Sequence, residues 1–388
     1  MKKIGILTHY YRTKNIGGLL QAYALLLLLQ NNDNQVEQIA FVFKQHDRES
    51  QSLLRTLFPQ HITTKKALKY PFSRLMNFLQ KALLKKKVFI QNAVFSEFEQ
   101  FIPHSAQVYD NTHIVQANEE YDIFITGSDQ VFASYLLPFN SYYGEFTTPD
   151  KKVIAYAASS DRKQFPPLAE KLFIKKLSRI NAISVREKTL KDYIERITPY
   201  KATVVLDPTF LLSPSEWLKI ANPSPVPQKP YIFCYFLGSK STWQRKMAQE
   251  YADKYGYEML HLPYIMQSIR PADRFLKGQG RYDVGPREFI ALIKNAQCVF
   301  TDSFHGLAFS INFGKNVYVF NRDDQSGPAS MNARITDILD TFGLTDRHIT
   351  DKNAILDNTP LDYTHVHEIL AREQEFSMNW LLNALETV

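Results

Sequence analysis

The chain has 388 residues, of which 45% are hydrophobic and 22% are charged, a composition typical of a soluble globular protein with enough length for two domains. Its two cysteines, Cys234 and Cys298, lie in apolar runs, which excludes a disulfide framework and argues against a cysteine-based metal site. The net charge of +7 is concentrated in residues 50–96, which hold nine Lys or Arg residues and no Asp or Glu.

The N-terminus begins directly with a strand-like run at residues 3–7 and lacks the pattern of a signal peptide. The longest apolar run, residues 25–29, is far shorter than the roughly 20 residues that span a bilayer. We therefore expect a cytoplasmic protein, with contact to the inner face of the membrane still open.

Short apolar runs alternate with helical patterns through the first half of the chain. This alternation predicts a parallel sheet with helices on both faces, in an N-terminal domain that covers residues 1–222. The predicted strands are residues 4–8, 36–42, 122–126, 153–157, 182–185 and 203–206. The predicted helices are residues 17–30, 72–101, 167–179 and 187–193.

A proline-rich segment at residues 222–230 predicts a stiff linker to a second α/β domain at residues 231–360. A final helix at residues 365–385 is long enough to cross back onto the first domain, so residues 361–388 form a separate element. The predicted strands of the second domain are residues 231–237, 258–262, 297–301 and 316–320, and its predicted helices are 243–255, 286–296 and 307–313.

The basic segment belongs to a predicted helical insertion at about residues 50–101. Its apolar residues recur on one helical face with lysines opposite, which predicts a basic amphipathic helix. Such a helix suits peripheral contact with anionic lipid, or with a polyanionic substrate, through residues 65–89; a solvated helix face is the alternative. No nucleic acid partner is expected, because no DNA-binding motif is present. The apolar positions are Leu75, Phe78, Leu79, Ala82, Leu83 and Phe89.

The most informative motif is Thr-Asp-Ser-Phe-His-Gly at residues 301–306, between a buried strand and a helix. Ser303 is a natural N-cap. Phe304, His305 and Gly306 follow it, at a helix start whose backbone N–H groups favour an anion. A histidine beside an anion site predicts chemistry on a phosphorylated or carboxylated substrate. An ordinary capped helix in which the histidine only packs is the alternative.

Further polar residues follow the first predicted strand, at the edge where an open parallel sheet binds its ligands. Asn15, Gly17, Gly18 and Gln21 mark the turn from this strand into a helix, where glycine lets a ligand approach the backbone. A tight turn without a ligand is the alternative. The spacing matches neither a dinucleotide-binding fingerprint nor a Walker loop.

Three other strand ends carry candidate residues. Ser128, Asp129 and Gln130 follow the third strand, where they contact a ligand or cap the next helix. Arg186 leaves the fifth strand, and its planar guanidinium suits a carboxylate or phosphate; an ion pair with the glutamate that follows it is the alternative. Asp207 precedes a proline after the sixth strand, which favours a structural helix cap over catalysis.

Five motifs in this order resemble the polysaccharide pyruvyl transferase family, over about residues 4–339. The resemblance implies two Rossmann-like, doubly wound domains that face a cleft, as in the GT-B type. It also implies transfer of pyruvate from phosphoenolpyruvate to two sugar hydroxyls, which forms a cyclic ketal during capsule or exopolysaccharide biosynthesis. The motifs are Asn-Ile-Gly-Gly-Leu-Leu-Gln-Ala-Tyr at 15–23, Gly-Ser-Asp-Gln-Val-Phe at 127–132, Ser-Val-Arg-Glu-Lys at 184–188, Val-Leu-Asp-Pro-Thr at 205–209 and the segment at 301–306.

The candidate residues suit that reaction. His305 is expected to protonate the methylene carbon of the enol, because an acid with a pKa near neutrality is useful there. Arg186 would hold the phosphate or the carboxylate, the helix start at residues 303–306 would hold the other anion, and Asp129 would be the base for an acceptor hydroxyl. Asn332 and Arg334, in a polar loop at residues 326–334, would complete the pocket, with a surface loop as the alternative.

No cofactor and no metal are expected, because no grouping of His, Asp or Glu has metal-ligand spacing. The implied partners are phosphoenolpyruvate as donor and a sugar acceptor linked to a lipid diphosphate or to a nucleotide. Two other functions stay open: a GT-B glycosyltransferase that uses a nucleotide sugar, and a carbohydrate-binding protein without catalysis.

Overall fold

The structure, a computed structural model, describes residues 2–32, 34–43, 48–58, 85–238, 242–263, 279–322 and 332–387. Within these residues it contains two six-stranded parallel sheets, one in each half of the chain. Helices cover the sheets and the final helix returns to the first half. The predicted fold class, two doubly wound α/β domains, is confirmed.

The first sheet has the strand order β2-β1-β3-β4-β5-β6, so the order reverses between β1 and β3. Its strands are β1 (Lys3–Leu7), β2 (Gln35–Gln38), β3 (Ile123–Asp129), β4 (Lys152–Ala158), β5 (Ala182–Val185) and β6 (Ala202–Val204). The helices of this half are α1 (Ile16–Gln30), α2 (Arg48–Leu57), α3 (Lys85–Glu99), α4 (Pro167–Leu177), α5 (Lys188–Ile197), α6 (Pro208–Leu211) and α7 (Pro214–Ile220).

The second sheet has the order β12-β11-β10-β7-β8-β9 and reverses between β10 and β7. Its strands are β7 (Tyr231–Tyr235), β8 (Glu258–His261), β9 (Gln279–Gly280), β10 (Cys298–Thr301), β11 (Asn316–Phe320) and β12 (His348–Ile349). The helices of this half are α8 (Trp243–Tyr255), α9 (Pro286–Asn295), α10 (Phe304–Asn312), α11 (Ala333–Thr341) and α12 (Thr364–Glu386).

The hydrophobic core is built from strands and helices that are apolar on more than one face. Every residue of β3 and β7 is buried, as expected for parallel strands with helices on both sides. Helix α1 is apolar all round, and Leu19, Leu25 and Leu29 are fully buried in it. It packs against β2, β3 and α6, and also against α9 of the second domain. The N-terminus of α1 is therefore held where the two domains meet.

Helix α12 crosses back onto the first domain. Ser377 Oγ accepts a hydrogen bond from the Leu206 backbone N at 2.9 Å, and Gln374 Nε2 donates to the Phe210 carbonyl at 2.5 Å. These bonds attach α12 to the segment after β6 and to α6.

The described part of the basic insertion consists of most of α2, of α3 and of residues that flank these helices. The second half of α3 is anchored: Phe95 and Phe98 are buried, and Glu97 forms an ion pair with Arg287 at the start of α9. In its first half Phe89 is 73% exposed. The other predicted apolar positions, from Leu75 to Leu83, lie outside the described residues. No helix in the described ranges is long and apolar enough to cross a membrane.

Candidate active site

The site lies where the reversal points of the two sheets face each other, the place where open α/β sheets bind ligands. The carboxyl ends of β1, β3 and β5 and the turn after β6 supply the first-domain side chains. The N-termini of α10 and α11 supply the second-domain side chains. The residues brought together are His9, Asp129, Arg186, Asp207, His305 and Arg334.

The Thr-Asp-Ser-Phe-His-Gly motif builds the N-terminus of α10. Ser303 Oγ accepts a hydrogen bond from the Gly306 backbone N at 3.4 Å, which confirms Ser303 as the N-cap. The Asp302 carboxylate accepts bonds from the backbone N atoms of Leu237 and Gly238 at 2.5 and 2.7 Å, so it holds the turn after β7. The helix begins at Phe304, three residues before the predicted start, so His305 lies in its first turn.

The two positions at the start of α1 require glycine because neighbouring groups approach their backbone closely. A Cβ on Gly17 would lie 2.0 Å from His305 Nδ1, and a Cβ on Gly18 would lie 2.6 Å from the carbonyl oxygen of His9. The contact gives Gly17 a second explanation beside the predicted approach of a ligand to its backbone. The neighbour that needs this space is the His305 ring of the opposite domain.

We predict that Gly17→Ala destabilises the protein by about 1–3 kcal/mol, the usual cost of overpacking, although alanine is the better helix former. Thermal unfolding measures the effect. In a His305→Ala background the clash is gone, so Gly17→Ala should be neutral or stabilising there. An equal loss of stability in both backgrounds would contradict this packing.

Arg186 is buried in a polar cluster, with its side chain only 1% exposed. Its Nη2 lies 2.5 Å from Asp207 Oδ2, and both Nε and Nη2 donate to Ser128 Oγ, at 2.9 and 2.7 Å. Its Nη1 lies 3.5 Å from Asp129 Oδ1. The alternative ion pair with Glu187 is not formed, because the glutamate turns away and accepts a bond from Ser159 Oγ at 2.6 Å.

Asp129 is a buried carboxylate near the guanidinium groups of Arg186 and Arg334 and the rings of His305 and His9. Burial acts to raise its pKa, but the charges of Arg186 and then of His305, His9 and Arg334 outweigh burial and lower it. Asp129 is therefore ionised at neutral pH. Its backbone is left-handed, with φ of 71°, a conformation that Asp tolerates better than most residues.

His305 is buried, with Nε2 3.9 Å from Asp207 Oδ2. Burial lowers its pKa to about 4, against the raising effect of Asp207. The ring of the ligand-free protein is therefore neutral at pH 7, with a pKa below the near-neutral value expected of the acid. A dianion bound beside it would raise this pKa.

The prediction of a polar loop is wrong for Arg334, which lies in a helix. Asn332 precedes α11 and its Oδ1 accepts a bond from the Arg322 backbone N at 3.0 Å. Arg334 is buried in the first turn of α11. Burial lowers the pKa of its guanidinium to about 10, so it stays protonated. The helix begins here because Ala-Arg-Ile-Thr-Asp-Ile-Leu restores an amphipathic pattern after the polar run.

The other candidate residues from the sequence differ in whether they contact the site. Gln21 is buried, and its Nε2 donates to Thr8 Oγ1 at 3.0 Å and to the Gly18 carbonyl at 2.8 Å. The ring of Phe304 lies 5.0 Å from the Arg186 guanidinium carbon in a cation–π contact. Asn15 precedes α1 without a side-chain cap bond. Gln21 and Phe304 thus support the site from behind.

Sequence reasoning missed two contributors. His9, two residues after β1, stacks on Tyr142 at 4.6 Å between ring centroids, and its Nδ1 lies 3.2 Å from the Tyr142 hydroxyl. Asp207 caps α6, as predicted, but also pairs with Arg186. Both residues directly follow predicted strands, and the sequence offered no other signal for their role.

Several buried nitrogen atoms in this cluster have no hydrogen-bond partner in the described part of the protein. They include Arg186 Nη1, His305 Nε2 and Arg334 Nε, together with His9 Nε2 and Gln130 Nε2. Buried polar atoms are nearly always paired, so these nitrogen atoms are candidate contacts for a ligand. Among the described residues, no group of His, Cys, Asp or Glu is placed to hold a metal ion.

Solved structures with low sequence identity resemble the chain. The UDP-GlcNAc 2-epimerase of Methanocaldococcus jannaschii is 11% identical, with 98% of this chain and 93% of that chain covered and a TM-score of 0.49. A glycosyltransferase from Rickettsia africae is 10% identical, with all of both chains covered and a TM-score of 0.46. No curated protein matches the chain.

The two-domain α/β fold thus brings a buried cluster of charged side chains together where the domains meet. The model of the polysaccharide pyruvyl transferase family matches residues 15–324, most of the chain. The chain belongs to the polysaccharide pyruvyl transferase family, and it is a transferase.

Proposed function

We propose that this enzyme transfers pyruvate from phosphoenolpyruvate to two hydroxyls of a sugar, giving a cyclic ketal and inorganic phosphate. The product would enter capsule or exopolysaccharide biosynthesis. The observation that carries the proposal is a set of buried nitrogen atoms that make no hydrogen bond, Arg186 Nη1, His305 Nε2 and Arg334 Nε, near the ionised Asp129.

The donor has two anionic groups, and the cleft has two places for them. Arg186 and Arg334 are guanidinium groups, which suit planar carboxylates and phosphates. The N-terminus of α10 presents backbone N–H groups beside His305. One anion would bind to the arginines and the other to the helix start, with Ser303 and Gly306 at that start.

The reaction needs one proton delivered and two removed. His305 would take up a proton when the dianionic donor binds, and would transfer it to the methylene carbon, which becomes the ketal methyl group. One acceptor hydroxyl then attacks the central carbon and gives its proton to a base. The second displaces phosphate, which leaves as hydrogen phosphate with the proton of that hydroxyl. Asp129 is the base for an acceptor hydroxyl because it is ionised and lies beside Arg186.

We predict that Arg186→Lys weakens binding of phosphoenolpyruvate by about 10–100-fold, although the charge is kept. Lysine loses the fork geometry, and a hydrogen bond to a charged group contributes about 1.5–3 kcal/mol. Calorimetric titration measures the affinity, and Arg196→Lys, on the exposed face of α5, is the matched control. If only the melting temperature changes, Arg186 is structural.

The competing function is a glycosyltransferase that uses a nucleotide sugar, since a cationic cleft would also accept a diphosphate. Incubation with each donor and a panel of sugar acceptors, linked to lipid diphosphate or to nucleotide, separates the two. The proposal expects inorganic phosphate only with phosphoenolpyruvate and acceptor together. Nucleotide release from a nucleotide sugar, without phosphate release from phosphoenolpyruvate, would favour the glycosyltransferase.

We further propose that the enzyme works in the cytoplasm and contacts the inner face of the membrane through residues 65–89. A lipid-linked acceptor would require such a contact. The exposed Lys86, Lys87 and Phe89 at the start of α3 support it.

A further inference from the structure

The two carboxylate oxygens of Asp207 have different partners. Oδ1 accepts bonds from the Thr209 backbone N at 2.8 Å and from Thr209 Oγ1 at 2.6 Å, which caps α6. Oδ2 lies 2.5 Å from Arg186 Nη2, accepts a bond from Ser128 Oγ at 3.1 Å and lies 3.9 Å from His305 Nε2. The side chain has no exposed surface.

Capping alone does not require this residue to be a carboxylate. Asn and Ser cap helices about as well as Asp, and a buried carboxylate is costly unless it is paired. The charge of Asp207 is therefore explained by the groups on Oδ2. These are the arginine and the histidine that face the proposed donor from opposite domains.

The position of Asp207 relative to His305 is fixed by bonds across the domain junction. Asn312, at the end of α10, donates from Nδ2 to the Thr209 carbonyl at 2.7 Å. Trp217 Nε1 donates to the same carbonyl at 3.1 Å. The turn that carries Asp207 is thus attached directly to the helix that carries His305, and the two side chains keep their separation.

We propose that Asp207 is a positioning residue, which holds the Arg186 guanidinium through Oδ2 and stabilises the charged form of His305 from the opposite side of the cleft. The inference rests on the proposed function, because it assigns Asp207 a role through two residues proposed to meet the donor. The charged groups that face His305 are Asp207 and Asp129, which favour the imidazolium, and Arg186 and Arg334, which oppose it.

The first test measures thermal unfolding of Asp207→Asn, Arg186→Gln and the double variant. Asn keeps the helix cap, so Asp207→Asn would cost little stability if Asp207 only caps α6. If Asp207 holds Arg186, each single variant leaves a buried charge unpaired. The double variant then loses less stability than the two single variants lose together. Should a single variant fail to fold, the double variant must still fold. A stable Asp207→Asn protein, additive losses or an unfolded double variant would overturn the proposal.

The second test measures the titration of His305 by NMR, with its signal assigned from its absence in His305→Gln. Arg186→Gln should raise the midpoint by at least about one pH unit, because Asp207 then acts on His305 without the opposing arginine. Adding Asp207→Asn should remove most of that rise. Equal midpoints for Arg186→Gln and for the double variant with Asp207→Asn would overturn the proposal.

The matched control is Ser213→Ala, which removes the N-cap of α7 and part of its stability without touching the cleft. It should leave the His305 midpoint unchanged. Neither test uses turnover. An enzyme inactive on phosphoenolpyruvate would refute the proposed function and leave both measurements intact.

Discussion

His305→Gln is expected to lower the turnover of pyruvyl transfer by about 10²–10⁴-fold, the usual contribution of general acid catalysis. Glutamine keeps the polar side chain at the start of α10 but carries no proton that it can transfer. Turnover is measured as phosphate release at saturating phosphoenolpyruvate and acceptor. His365→Gln, on the exposed face of α12, is the matched control. Near-normal turnover in a folded His305→Gln protein would refute the assignment.

The same variant also tests whether His305 is neutral in the ligand-free protein. Burial lowers the pKa of His305 to about 4 in the folded state, against about 6.5 in an unfolded chain. Between these values the unfolded chain binds more protons, so the free energy of unfolding falls as the pH drops from about 6.5 towards 4. His305→Gln should lose part of this acid sensitivity, whereas His365→Gln should keep it.

Replacing Lys81, Lys85, Lys86 and Lys87 with Gln is expected to weaken binding to anionic vesicles by roughly a thousandfold. Each lysine near an anionic surface contributes about 1 kcal/mol, and about 4 kcal/mol corresponds to nearly three decades in affinity. The exposed Phe89, which follows Lys86 and Lys87 in α3, supplies apolar surface for the same contact. Vesicle sedimentation at low and high salt measures partitioning.

The matched control removes the same number of charges elsewhere, by Lys171, Lys175, Lys229 and Lys246→Gln, all exposed. This control should retain most of its vesicle binding. If the wild type does not bind anionic vesicles, or if both fourfold variants bind equally, the basic segment is an ordinary solvated helix face.

Local pattern was sufficient to predict much of the fold. The structure gives α8, β5 and β11 the predicted bounds, because each is a periodic or apolar run between strong breakers. The N-cap at Ser303 was predictable for the same reason. The two-residue strands β9 and β12 were not, because they are too short for any period and form only by pairing with β8 and β11.

The site was predictable in its residue types and less so in its contacts. Arg186 and Asp207 are 21 positions apart in the sequence, so their pairing depends on β5 and β6 ending side by side. The low pKa of His305 depends on burial by the opposite domain, which no local pattern encodes. Arg334 was placed in a loop because the Ser-Gly-Pro run before it dominated the short helical pattern that follows.

The identity of the donor and the origin of the transferred proton are tested together by running the reaction in D₂O. The enzyme is incubated with phosphoenolpyruvate and a sugar acceptor, and the products are analysed by proton and phosphorus NMR. The account predicts inorganic phosphate and a ketal methyl group that carries one deuterium, because the added proton comes through a side chain that exchanges with solvent. Intact phosphoenolpyruvate, with glycosidic product and free nucleotide formed from a nucleotide sugar, would contradict it.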